Sequence, residues 1–452
     1  MVGETKQMDA DWKSLSPDER LARRLEAWAS PPGVEFVSPE AEAEYKARVT
    51  RFKHAIQLKT PDRVPIVSGL GAFATAYYGY TQYDMMYDAD KVVEVAIRAT
   101  QEFQLDVQIG AGGISGRVME ILEDKQWQWP GHGVSLDNTL QYSDIEYMKA
   151  DEYDAFIYDP SDYRMRTYLP RTMAALEPLS KLPPFRDIGG MSRASLASFG
   201  LPEVERALQK LVEAGRATIE WQKKVGPTSR RLVEMGFPSL TSGSTWGPFP
   251  TISDSMRGTH GVMMDILRQP AKLLEAMEQV TPPILKGILA SARPGSSPIV
   301  AVHMHKCGDG IMSDKQFKTF YWGPLRKLCM GFIEEGLIPR FSLEGPFNSR
   351  SRLEIFRDLP KGKAIWWSEG GQTDMAQLKE VLGDVACIEG DVPASRLVGG
   401  TPEETAAFCR RMIDVCGKNG GYIFSTSPVD RNARIENIRA MIRTAKEYGV
   451  SA

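Results

Sequence analysis

From Arg63 to the C-terminus the chain alternates between two patterns. Short apolar runs end in glycine, serine or charged residues, and each is followed by a stretch in which apolar residues recur every three or four positions. The runs fall at 64–67, 106–109, 236–240, 299–305, 337–344, 363–367, 386–391 and 421–425. Continuous apolar character marks a parallel strand covered on both faces, and an intervening helix supplies the crossover that parallel pairing needs. Eight such units predict a single α/β domain, a (β/α)8 TIM barrel rather than a doubly wound sheet. Reactive side chains in a barrel sit at the C-terminal strand ends, so the residues that close each run are the ones to inspect.

Residues 1–50 read as a helical extension ahead of a barrel spanning 51–452. Ser16-Pro17-Asp18-Glu19 combines an N-cap serine, proline at the first helical position and a glutamate that closes a capping box. The helix it starts runs through Leu21, Leu25 and Trp28 to the Pro31-Pro32-Gly33 stop, and a second runs from Ser38-Pro39 through Phe52 and Ile56. These helices are expected to wrap the barrel or a partner subunit. Ser313-Asp-Lys-Gln316 and Thr401-Pro-Glu-Glu404 are two further capping boxes. The stretch 127–184, with its aromatics and prolines, fits no βα unit and is expected to be an insertion over the barrel mouth.

One strand end concentrates chemistry. The run from Ile299 closes in His303-Met-His305-Lys306-Cys307-Gly308, so two of the five histidines stand two residues apart and point to the same side of a strand. Glu344 closes the run before it and Asp391 closes another, positions where a carboxylate is functional or paired with an arginine such as Arg340. Glu369, followed by two glycines, reads instead as an exposed loop acid. Trp246 and Phe249 follow the third run as candidate ring contacts.

Composition narrows the class. A net charge of −3 offers no basic footprint for nucleic acid. No apolar run approaches eighteen residues, and Met1-Val-Gly-Glu-Thr-Lys-Gln-Met-Asp9 is too polar for a secretory signal, so a cytoplasmic enzyme with no membrane partner is expected. Neither a Gly-x-Gly-x-x-Gly helix start nor a phosphate-binding Gly-x-x-x-x-Gly-Lys motif occurs, which argues against nucleotide cofactors. The five cysteines form no Cys-x-x-Cys pair and no disulfide framework; Cys307 alone stands beside histidines.

Several motifs resemble the uroporphyrinogen decarboxylase superfamily, which includes porphyrinogen decarboxylases and corrinoid-linked methyltransferases. They are Arg51-Phe-Lys-His-Ala-Ile-Gln-Leu-Lys-Thr-Pro-Asp-Arg-Val-Pro65, Trp246-Gly-Pro-Phe249, Gly390-Asp-Val-Pro393, Gly400-Thr-Pro-Glu-Glu404, Gly420-Gly-Tyr-Ile-Phe-Ser425 and Glu436-Asn-Ile-Arg-Ala-Met441. The family fold is the same (β/α)8 barrel. Porphyrinogen decarboxylases carry arginines after the first strand and an aspartate after the second. Here Ser68 to Gly79 holds no arginine and Gly110-Ala-Gly-Gly113 no aspartate, so a polycarboxylate would find no cations.

His305-Lys306-Cys307-Gly308 is similar to the His-x-Cys-Gly motif of the zinc-dependent methyltransferase branch, which implies zinc on His305 and Cys307. The branch's third ligand is a cysteine where this chain has Ser427, leaving His303, Glu344 or Asp391 to complete the set. Tyr321-Trp-Gly-Pro-Leu325, Leu343-Glu-Gly345, Arg352-Leu-Glu354 and Leu359-Pro-Lys-Gly-Lys363 resemble a longer branch that contains aryl-ether O-demethylating methyltransferases. The resemblance implies transfer of a methyl group from a small methoxylated, aromatic substrate to the cobalt of a corrinoid. No Asp-x-His-x-x-Gly motif occurs, so cobalamin would arrive on a partner corrinoid protein, and a homodimer is implied. His305, Glu344 and Asp391 are the expected catalytic residues, with Tyr77, Trp246, Phe249, His303 and Lys306 around the substrate. The alternatives are a cofactor-independent decarboxylase and a non-catalytic corrinoid or small-molecule binding protein.

Overall fold

The computed structural model describes residues 11–110, 113–189 and 193–450. Ala111 and Gly112 of the second strand exit, and the first ten residues of the signal reading, lie outside them. Both N-terminal helices form where their caps predict. Pro17–Ala29 starts in a complete Ser16/Glu19 capping box, and Pro39–Ile56 is capped by Ser38.

A small sheet comes first along the chain: β1 (Trp127–Pro130) lies between β2 (Gly133–Val134) and β3 (Gln141–Tyr142). The barrel strands follow as β4 (Gly243–Trp246), β5 (Ile299–Met304), β6 (Ile338–Glu344), β7 (Ile365–Glu369), β8 (Cys387–Val392) and β9 (Tyr422–Thr426), parallel and paired in chain order. The segments around 66, 107 and 238 close the circle with sparser bonds. Phe424 donates its amide to Pro65 and accepts from Val67, Asp106 donates to Ile66, Gln108 donates to Pro238, and Ser242 donates to Ile299.

These early staves make few ladder bonds for a local reason. Pro65 and Pro238 have no N–H to give. The Ile66 amide is taken by the Asp106 carboxylate at 2.8 Å and the Ile109 amide by the Thr100 hydroxyl at 2.9 Å. The run predicted at 236–240 therefore acts as an irregular stave, and the regular strand begins later, at Gly243.

Side chains fill the lumen in layers set by the period of two. Ile299, Ile338, Ile365, Cys387 and Ile423 form the lowest layer and pack on Leu25, Trp28, Val49 and Phe52 of the N-terminal helices. The extension thus plugs the bottom of the barrel. Its fit is close: a Cβ on Gly336, at φ +73°, would lie 2.6 Å from the Arg20–Leu21 backbone. Above that layer come Ala301, Arg340, Trp367 and Glu389, then His303, Ser342, Glu369 and Asp391, with His305 and Glu344 beyond.

The insertion is tied to the mouth by ion pairs. Arg257, buried, binds Asp265 at 2.5 Å and also Glu146 and the Met148 carbonyl of the insertion, while within the insertion Arg171 grips Glu152 at 2.6 Å. Among the described residues no helix is long and apolar enough to cross a membrane.

Candidate functional site

β5 carries His303 and, one residue past its end, His305 on the lumen side, and β6 brings Glu344 beside them. His305 lies between two carboxylates. Its Nδ1 is 2.5 Å from Asp254 Oδ2 and its Nε2 is 3.0 Å from Glu344 Oε1. Burial disfavours a charged imidazole, but the bonds to Asp254 and Glu344 outweigh it and push the pKa up to about 10. His303 meets the opposite balance. Burial holds it below its ordinary value, although Glu344 pulls the other way. Its Nε2 shares a hydrogen bond with Ser244 Oγ at 2.8 Å.

Asp254 was invisible in the sequence. It sits in a π-helical turn, Ser253–Arg257, that continues the helix after β4. Such turns widen a helix by one residue and recur at functional sites. The turn delivers a buried carboxylate that His305 and Lys306 share: Lys306 Nζ lies 2.9 Å from its Oδ1. Burial favours the neutral acid, yet these two cations together hold Asp254 below the ordinary carboxylate range. Lys306 adopts φ +57° and also reaches Asp144 of the insertion at 3.2 Å. A loop carboxylate thereby closes over the mouth.

Glu369, read from sequence as an exposed acid, is the register partner of Glu344 on β7. Burial, reinforced by the Glu344 charge, raises its pKa to about 7. The flanking glycines that suggested a loop serve a different purpose. The amides of Gly370 and Gly371 turn back onto Ser427 and Asp391.

Several expected residues sit elsewhere. Asp391 is buried and accepts from Ser427 Oγ at 2.9 Å, Ser368 Oγ at 3.3 Å and the Gly371 amide, so it braces the turn after Glu369 rather than joining the histidines. Cys307 is fully buried, its thiol directed to the Met304 carbonyl at 3.7 Å and its pKa pushed up to about 12 by burial. Past the strand end the chain turns at Lys306, which removes Cys307 from the side shared by the histidines. Phe249 is packed into the core against Tyr321, 5.2 Å between ring centroids. Tyr77 lies on the outer helical layer, stacked on Phe73 and bonded to Glu102 at 2.9 Å. Trp246 remains at the mouth, its ring 5.8 Å from that of His305.

His303, His305 and Glu344 each offer a ligand atom, and the three atoms lie within 4.8 Å of one another. Two imidazoles and a carboxylate suit zinc in a catalytic site, where three protein ligands leave a position open. Asp254 on the far nitrogen of His305 is the outer-shell carboxylate that orients such a ligand. The donor set therefore fits the metal, with His303 and Glu344 standing where Cys307 was expected.

The family model described as uroporphyrinogen decarboxylase (URO-D) matches residues 231–448. Among solved structures, a methyltransferase from Methanosarcina mazei is similar with a TM-score of 0.57 and 15% identity, covering 88% of this chain and 98% of its own. At that identity the likeness concerns the fold. A B12-independent methionine synthase from Shewanella sp. W3-18-1 in complex with selenomethionine overlaps at a TM-score of 0.27 and 9% identity, over 45% of this chain and 59% of its own, too slight to carry an argument. No curated protein matches in sequence.

Proposed function

We propose that this chain, whose residues 231–448 match the uroporphyrinogen decarboxylase family model, is a cytoplasmic methyltransferase. It moves a methyl group from the oxygen of a small methoxylated, aromatic substrate to the cobalt of a corrinoid carried by a separate protein. The observation that carries the reading is the His303, His305 and Glu344 cluster with Asp254 behind it, at the C-terminal mouth of the barrel. Breaking a methyl–oxygen bond leaves the electron pair on oxygen, so the site must stabilise or protonate a leaving alkoxide.

A divalent ion such as zinc held by His303, His305 and Glu344 would supply Lewis-acid polarisation of that oxygen. Asp254 fixes the tautomer and tilt of His305 through Nδ1. Glu369, poised with its pKa near 7, donates a proton to the departing oxygen. Trp246 packs at the rim against the substrate ring, and Lys306 with Asp144 holds the insertion down so that water is excluded.

Decarboxylation of a polycarboxylate fits less well. Among the described residues lining the cavity below the histidines, Arg340 is the one cation, and Glu389 already neutralises it. The decisive experiment mixes the protein with reduced corrinoid protein and a panel of methoxyarenes while the cobalt(I) absorbance is followed. Loss of the band with one donor is the expected result. An unchanged band with every donor, together with carbon dioxide release from a porphyrinogen, would replace the methyltransferase with a decarboxylase.

A further inference from the structure

Beneath the histidine cluster the barrel encloses a cavity of about 340 Å³, within the range of small-molecule sites. Ser244, whose hydroxyl bonds His303, lines it, as do Arg340, Trp367, Glu389 and Gln108. Buried polar atoms in folded proteins nearly always have partners. Here Gln108 Nε2 and Trp367 Nε1, on two residues of its lining, have none. Gln108 belongs to the second stave and Trp367 to the sixth, so these unmet donors face the space from opposite walls of an eight-stave barrel.

The charges beside them are already matched. Arg340 gives Nε to Glu389 Oε2 at 2.6 Å and Nη2 to the other oxygen, and its guanidinium lies 4.0 Å over the Trp367 ring. This cavity therefore offers neutral donors and no spare charge. A carboxylate entering it would be an additional charge with no counter-ion, and desolvating it would oppose binding.

We infer that this cavity is the subsite for the end of the substrate remote from its methyl group, and that it selects neutral molecules bearing a hydrogen-bond acceptor such as a ketone or ester carbonyl. Gln108 Nε2 and Trp367 Nε1 donate to that acceptor. Because the site is built into the barrel wall, it discriminates by leaving these donors unpaired when the acceptor is missing. The assignment of the remote end rests on the methyl chemistry taking place at His303, His305 and Glu344.

Binding to the full chain by calorimetry, without any corrinoid, tests it. The probes are 4-methoxyacetophenone, its carbonyl-free isostere 4-isopropylanisole, and the anion 4-methoxybenzoate. The ketone should bind at least about tenfold more tightly than either. Gln108→Leu and Trp367→Phe should each remove most of that preference, while thermal melts confirm that both variants are folded. Equal affinity for ketone and hydrocarbon, preference for the anion, absence of binding by all three, or an undiminished preference in both variants overturns the subsite, because water alone then satisfies the donors. A ketone preference without methyl transfer in the cobalt(I) assay would leave the subsite standing and remove the functional reading; methyl transfer without the preference would do the reverse.

Discussion

Asp254 and His305 lie 51 residues apart in the chain and meet at 2.5 Å, Oδ2 to Nδ1. One belongs to a π-helical turn and the other to a strand exit, so the contact joins a helix of the third βα unit to the strand of the fourth. Asp254→Asn keeps the shape and removes the charge. Zinc affinity should fall about 10- to 100-fold, the loss typical for an outer-shell carboxylate. In the chelated protein the His305 pKa should drop from about 10, as read by imidazole proton shifts in NMR. An unchanged titration and unchanged zinc affinity would remove Asp254 from the site.

The ligand set separates from the family-like His-x-Cys pair by mutation. Cys307→Ala should keep a full equivalent of zinc and cost about 1 kcal/mol through its small cavity. His303→Ala and Glu344→Ala should each lose most of the metal while melting cooperatively. Metal analysis after dialysis decides it, and zinc lost from the Cys307 variant but retained by the other two would restore the cysteine as ligand.

Glu389 is fully buried and, among the described residues, its one cationic partner is Arg340, itself nearly so. Glu389→Gln leaves a guanidinium uncompensated in the lumen and should destabilise the protein by about 3–5 kcal/mol in urea unfolding. Arg340→Met combined with Glu389→Leu should recover most of that loss, since neither charge then remains. A double variant as unstable as the single one would mean that packing, not charge, dominates there.

Acid should loosen the insertion before the barrel. Hydrogen bonding to Arg171, helped by the Lys149 amide and Tyr163, lowers the Glu152 pKa to about 2 against an ordinary 4.5. A folded-state value below the unfolded one means the stabilisation is complete above about pH 4.5 and is lost as pH falls towards 2. Glu152→Gln should lower stability at pH 6 and flatten its decline below pH 4.5. Melting temperatures from pH 6 to 2 give the comparison, and parallel curves for wild type and variant would contradict it.

Much of the architecture was legible because it depends on local pattern. Ser16/Glu19, Ser313/Gln316 and Thr401/Glu404 close the capping boxes their spacing implies. The five strands from residue 299 onward stand where continuous apolar runs placed them. The run at 236–240 forms only an irregular stave, in which Pro238 has no N–H to give, and the regular strand of that unit begins at Gly243. His303, His305 and Glu344 were visible as residues closing strands, and Trp246 as a residue following one. Glu369 was set aside because a Gly-Gly pair resembles a solvent loop when the Ser427 and Asp391 partners of its amides cannot be seen.

The sequence by itself determined the barrel, its N-terminal helices and the strand end on which two histidines share a face, because side-chain period and capping act over a few residues. Tertiary structure alone decided that Asp254 reaches His305, that Glu344 rather than Cys307 stands with the histidines, and that Phe249 and Tyr77 turn away from the mouth. It also decided that Gln108 and Trp367 share one cavity. Those outcomes depend on closing the sheet, on one π turn and on the left-handed backbone of Lys306. Each of these sets the direction of a side chain relative to residues tens of positions away, and local periodicity carries no information about that direction.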